Sequence, residues 1–148
     1  MMECAFCSIL QGRLPASMVY EDDRVAAFMD IRPLNRGHVL VVPRTHAADL
    51  VEMSTDDGTR VFRVAQMIAG AMRHRGVEGV SCEGINLWLA DGKAAGQEVY
   101  HVHLHVVPRF NGDGFGLKFP PNYGHQPSRA ELDELAQKIR AEVANAPQ

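Results

Sequence analysis

No run of these 148 residues stays apolar for the ~20 positions that a membrane-spanning helix needs. The opening "MMECAFCSIL" also lacks the basic start and small-residue cleavage site of a secretory leader. A cytoplasmic protein with no membrane partner is therefore expected. An excess of basic charge is missing too: 15 Lys and Arg face 18 Asp and Glu, for a net charge of -3. Affinity for a nucleic acid polymer rests on clustered cations, so no such partner is expected, although a single nucleotide stays within reach. Cysteine is scarce and odd in number, three in all, and Cys4 and Cys7 form a C-x-x-C pair. That usage suits a reduced compartment better than a disulfide framework. There is no G-x-S-x-G nucleophile elbow, no P-loop and no dinucleotide fingerprint. Cys82, alone on an apolar run, reads as a core thiol. No repeat or linker interrupts the chain, so residues 1–148 read as one domain, with 110–148 as a C-terminal extension made of a loop and a helix.

What the chain does have is "HVHLHVVPR" at His101–Arg109, which holds three of its seven histidines. Apolar residues at period two predict a strand with Tyr100, Val102, Leu104 and Val106 on a packed face and His101, His103 and His105 on the other. Same-face residues on a strand lie about 7 Å apart, so the outer imidazoles stand about 13 Å apart, too far to share one metal through bonds of ~2 Å. The three must divide the work. A neutral imidazole is a nucleophile at pH 7, and its protonated form stabilises an anion or donates to a leaving group. Attack on phosphorus would give an N-phosphoryl intermediate that water hydrolyses. Just upstream, "DGKAAGQ" with Gly92, Gly96 and Gln97 either offers backbone N–H groups to phosphate or simply joins two strands.

The remaining segments predict an α+β domain around an antiparallel sheet of about five strands, with a long helix and a C-terminal helix. A short helix ends near Gly12. "SMVYEDD" and "RVAAFMDI" read as a hairpin, and "GHVLVVPRTH" as a strand closed by Pro43. Ser54 and Asp57 read as a capping box before the long helix, whose apolar stripe is Val61, Val64, Ala65, Ile68 and Met72. "EGINLWLADG" is the next strand. After the Gly/Pro loop "NGDGFGLKFPPNYGHQP", Ser128 and Glu131 cap a last helix with Leu132, Leu135, Ala136, Ile139 and Val143 on one face. His74 and His125 read as exposed polar residues. A sheet with open edges and an uncovered apolar patch makes a homodimer the expected assembly.

"HVHLHVV" resembles the H-φ-H-φ-H-φ-φ signature of the histidine triad (HIT) proteins, which are nucleotide hydrolases and transferases. "CAFCSIL", "VYEDDRVAAFMDIRP", "GHVLVVPRTH" and "AAGQEVYHVHLHVVPR" follow in that family's order and spacing, so the resemblance spans roughly residues 4 to 109. It implies that His103 is the nucleophile on the α-phosphate, that His105 contacts phosphate oxygens, and that His38 is the fourth histidine of the site. It places Gln97 as a phosphate-side donor and Asp30 on the ribose hydroxyls. Phe6, Ile9, Phe28 and Ile31 fall where the family builds its apolar purine pocket, though from composition alone these four read as core. The resemblance to members with a C-x-x-C pair, the galactose-1-phosphate uridylyltransferases among them, implies structural zinc on Cys4, Cys7, His46 and His101. One position departs: Ala90 stands where relatives carry Asn or Gln.

The function this implies is a Hint-like hydrolase of nucleoside 5'-phosphoramidates, AMP-type substrates favoured, working through a nucleotidyl-histidine. The alternatives are a dinucleoside polyphosphate hydrolase and a purine-nucleotide-binding regulatory protein with vestigial activity. A hydrolase using the triad itself as zinc ligands is disfavoured by the 13 Å span estimated above.

Overall fold

A computed structural model describes residues 4–146. They form two compact units, one ending at Phe115 and one beginning at Gly116. The first holds helix α1 (Ala5–Leu10), strands β1 (Met18–Glu21), β2 (Val25–Met29) and β3 (Val39–Pro43), helix α2 (Thr55–Gly70), and strands β4 (Gly84–Trp88) and β5 (Leu104–Arg109). The strands make one antiparallel sheet in the order β1-β2-β3-β5-β4. The expected α+β class and strand count are those of the structure.

Strands β2 and β3 run almost without a polar residue because both faces of the sheet are covered. On one face Val25, Ala27, Val39, Val41, Leu104 and Val106 pack against the α2 stripe of Val61, Val64, Ala65, Ile68 and Met72. Burying one such side chain contributes roughly 1.5–3 kcal/mol, so this seam anchors the sheet. On the other face Ala26, Phe28, Leu40 and Val42 meet Phe6 of α1. The sheet is thus closed by a long helix behind and a short one in front.

Two local expectations change. Ser54 does cap α2, accepting from the Asp57 N–H at 3.1 Å. The reciprocal half of the box is absent: the Asp57 carboxylate takes the Ser54 hydroxyl and the Arg24 guanidinium, at 2.8 Å and 2.9 Å. Aspartate is one methylene shorter than the glutamate that usually reaches back to the cap. The triad segment also starts later as a strand. Regular pairing begins at Leu104, Tyr100 is 51% exposed rather than packed, and His101 and His103 are buried rather than lined along an open face. Residues 101–103 are instead tied to the segment after β3, with the Val102 N–H on the Ala47 carbonyl at 2.8 Å.

In the second unit Ser128 and Glu131 form the full capping box of α3 (Arg129–Asn145). The apolar side chains of α3, Leu132, Leu135, Ile139 and Val143, are exposed. His74 and His125 are exposed, as expected. No helix among the described residues is long and apolar enough to cross a membrane.

Candidate functional site

Register builds the site. Phe28 pairs with Leu40, Leu40 with His105, and His105 with Trp88. Directly paired residues share a face, so these four side chains form a row across the front of the sheet. They border a cavity of about 710 Å³, within the range of small-ligand sites. Phe6, Ile9, Phe28, Asp30, Ile31, His38, Ala90, His103 and His105 all line it. Phe6 meets the edges of both Phe28 and His103, at centroid distances of 5.4 Å and 5.2 Å. Ile31 stands 92% exposed at the rim, whereas Phe28 is part of the core as well as a wall.

Each triad ring is oriented by a backbone or imidazole partner. His103 Nδ1 lies 2.8 Å from the carbonyl of His101. A carbonyl can only accept, so Nδ1 carries the proton, and Nε2 is the bare nitrogen of the neutral ring. His38 Nδ1 accepts from the Leu34 N–H at 3.1 Å. Its proton therefore sits on Nε2, which donates to His105 Nδ1 at 2.8 Å. That leaves His105 with an Nε2–H. One cavity-lining imidazole offers a lone pair and the next offers a donor.

Burial favours the neutral forms of His105 and His38. It pushes His105 down to about 4, with His103 and His38 adding to the effect and Asp30 opposing it. It lowers His38 as well, against Asp30 and with help from His103. Asp30 Oδ2 stands 3.6 Å from His38 Nε2, while its Oδ1 takes the Arg32 N–H at 2.8 Å. Just before His38, Gly37 has φ +98, and a Cβ there would meet Val80 at 2.8 Å. Only glycine lets the chain enter β3 with His38 so placed.

Donor atoms of Asp30, His38 and His105 lie within 4.8 Å of one another, close enough to suggest a metal. The tautomers argue otherwise: the His38 nitrogen facing the group carries the proton it gives to His105. A cation there would have to displace that proton.

The second cluster, Cys4, Cys7, His46 and His101, has the opposite character. His101 Nε2 donates to the Pro43 carbonyl at 2.8 Å, so its bare Nδ1 faces Cys4 Sγ at 3.5 Å and Cys7 Sγ at 3.6 Å. Cys7 Sγ lies 3.4 Å from His46 Nδ1. A thiolate sulfur and an imidazole nitrogen on one tetrahedral zinc stand about 3.5 Å apart. The four residues fit such an ion. Burial, with His46 and His103 adding to it, lowers His101 and keeps the ring neutral, although the Pro43 carbonyl opposes this.

Gln97 is the sequence-derived site residue the structure reassigns. Its Oε1 accepts from the Gly92 N–H at 2.7 Å, and its Nε2 donates to the carbonyls of Ala48 and Val99 at 2.7 Å and 3.2 Å. Both amide protons are spent on backbone, so Gln97 ties the glycine loop down rather than pointing a donor at phosphate. Leu40, Trp88 and Phe115 also line the cavity and were missed. Trp88 was recoverable, since alternation along the run read as a strand, "EGINLWLADG", puts it on the side of Ala90.

The HIT domain family matches residues 11–112. An uncharacterised HIT-like protein of Borreliella burgdorferi is 46% identical over 118 residues, covering 80% of this chain and 84% of its own. An adenosine 5'-monophosphoramidase of Schizosaccharomyces pombe is 31% identical over 143 residues, covering 96% and 99%. The crystal structure of a zinc-bound histidine triad family protein from Mycobacterium smegmatis is 40% identical, covers 97% of each chain and superposes with a TM-score of 0.71.

Proposed function

Because this chain belongs to the HIT domain family, we propose that it is a nucleotide hydrolase that cleaves nucleoside 5'-phosphoramidates, AMP-type substrates favoured, through a nucleotidyl intermediate on His103. The observation that carries this reading is the His103 Nδ1–H on the His101 carbonyl, which leaves Nε2 bare at the cavity. The phosphoramidase relative supports the same chemistry.

In this reading the purine lies against Phe6, Ile9, Phe28 and Ile31, and the Asp30 carboxylate accepts from the ribose hydroxyls. The His105 Nε2–H donates to a non-bridging phosphate oxygen, where charge grows during attack. His103 Nε2 forms a bond to phosphorus. The phosphorus–nitrogen bond to the amine breaks with its electron pair on nitrogen, and the amine leaves with a proton from solvent. Water then attacks phosphorus, the bond to His103 breaks, and AMP leaves. The donor set of Cys4, Cys7, His46 and His101 supports a structural zinc, which would contribute folding energy and clamp α1 to the triad segment. We also propose a homodimer, on the strength of exposed Phe62, Met67 and Leu87; light scattering would measure it.

The experiment is incubation with adenosine 5'-phosphoramidate, followed by acid quench and mass spectrometry. AMP release with one nucleotidyl adduct on the 101–105 segment is expected. An adduct elsewhere, or no turnover, would overturn the reading.

A further inference from the structure

The row of paired side chains has two ends. Phe28 and Leu40 lie on one side of His105 and Trp88 on the other. If the base occupies the Phe6 and Phe28 end and the phosphate meets His103 and His105, whatever the phosphate carries besides the nucleoside must emerge over Trp88. That end is apolar and built. Trp88 lines the cavity and is 40% exposed, so its side chain is open to contact, and Ala90 beside it is buried. Phe115 stands 6.5 Å from Trp88, centroid to centroid, at 41°.

Phe115 sits in a glycine-rich stretch, yet it is held. The Arg109 guanidinium lies 4.5 Å from its ring centroid and also bonds its carbonyl. Arg109 is in turn fixed by both carboxylate oxygens of Asp113, at 2.6 Å and 2.9 Å. The Arg109 charge is thus paired with Asp113. Among the described lining residues Arg32 is the one Lys or Arg, and Glu98 takes its guanidinium at 2.7 Å. A polyphosphate tail would find no uncommitted Lys or Arg among them.

Resting on the phosphoramidase reading, we propose that Trp88, Ala90 and Phe115 form a leaving-group subsite that selects amines bearing a flat apolar group, and that it disfavours polyphosphate leaving groups. Aromatic rings stack or meet edge to face with a gain beyond area burial, whereas a saturated ring of similar size gains only the burial. The subsite is thus a specificity device, carried in part on the strand that pairs with His105.

The test compares two adenosine phosphoramidates, one of 2-phenylethylamine and one of 2-cyclohexylethylamine, with diadenosine tetraphosphate as a third substrate. The wild-type protein should prefer the phenyl compound by about two- to tenfold in kcat/KM, and should cleave the tetraphosphate more slowly than either. Trp88→Ala should bring the phenyl-to-cyclohexyl ratio close to one, and Trp88→Phe should restore most of it; thermal unfolding checks that both variants are folded. A ratio near one in the wild-type protein, a ratio that survives Trp88→Ala, or faster cleavage of the tetraphosphate would overturn the subsite while leaving the nucleophile intact. If adenosine 5'-phosphoramidate itself is not turned over, the phosphoramidase reading fails, and the subsite falls with it.

Discussion

His101 and His103 are two residues apart on one segment, both buried, yet their rings present opposite nitrogens to different surroundings. His101 gives its Nε2 proton to Pro43 and turns a bare Nδ1 to two sulfurs; His103 gives its Nδ1 proton to the His101 carbonyl and keeps a bare Nε2 at the cavity. The side chains are the same, and burial is alike. What differs is which ring nitrogen a backbone carbonyl claims. A fixed acceptor on one nitrogen decides the tautomer, and the tautomer decides which nitrogen keeps its lone pair and so whether that lone pair faces the sulfurs or the cavity. The two ends are also joined, because the carbonyl that orients His103 belongs to His101 itself.

The largest effect should come from removing the proposed nucleophile. His103→Ala is expected to lower kcat/KM by about three orders of magnitude or more, since a covalent step has no substitute, while nucleotide binding measured by calorimetry is largely retained. Near-normal turnover would end the division of labour between the two ends. At the other end, Cys4→Ser should cost the protein the proposed zinc and several kcal/mol of stability, measured by elemental analysis and thermal unfolding. A fully stable, metal-free wild-type protein would return the cysteine pair to ordinary packing.

Acid should separate the ends more gently. Burial lowers His105 from 6.5 to about 4, so between those values the unfolded chain binds more protons than the folded one. The contribution is whole above pH 6.5, is lost as pH falls, and is gone below about 4, for up to about 3 kcal/mol. Denaturant unfolding across that range should show the slope, and His105→Asn should flatten it. The smallest effect concerns Ala90. With the Gln97 amide committed to backbone, Ala90→Asn would add a donor at the cavity wall and should raise kcat more than it changes KM. An unchanged or lower kcat would mean that this position is not a missing catalytic contact.

Much of this was legible in the residues because periodicity is local. The α2 stripe and the β2 and β3 runs were readable one element at a time, and so were both helix caps, except for the missing half at Asp57. The resemblance across residues 4 to 109 pointed to the two histidine clusters. Other features were not legible. The α3 stripe has the same spacing as that of α2, yet its side chains are exposed; spacing tells which residues share a face and says nothing of whether that face is covered. Gln97 read as a phosphate donor because a side-chain amide can bond either to ligand or to backbone, and only the position of Ala48 and Val99 decides which.

By itself, then, the sequence determined most of the strands and helices and the C-x-x-C pair, since these follow from residue type and spacing along the chain, whereas the late start of β5 did not. The tertiary structure alone decided which nitrogen of each histidine is bare, what Gln97 holds, and that Trp88 flanks His105 opposite Leu40. Those outcomes depend on carbonyls, amides and strand partners brought from distant parts of the chain, and hydrogen bonding acts over ~3 Å in space without regard to separation in sequence.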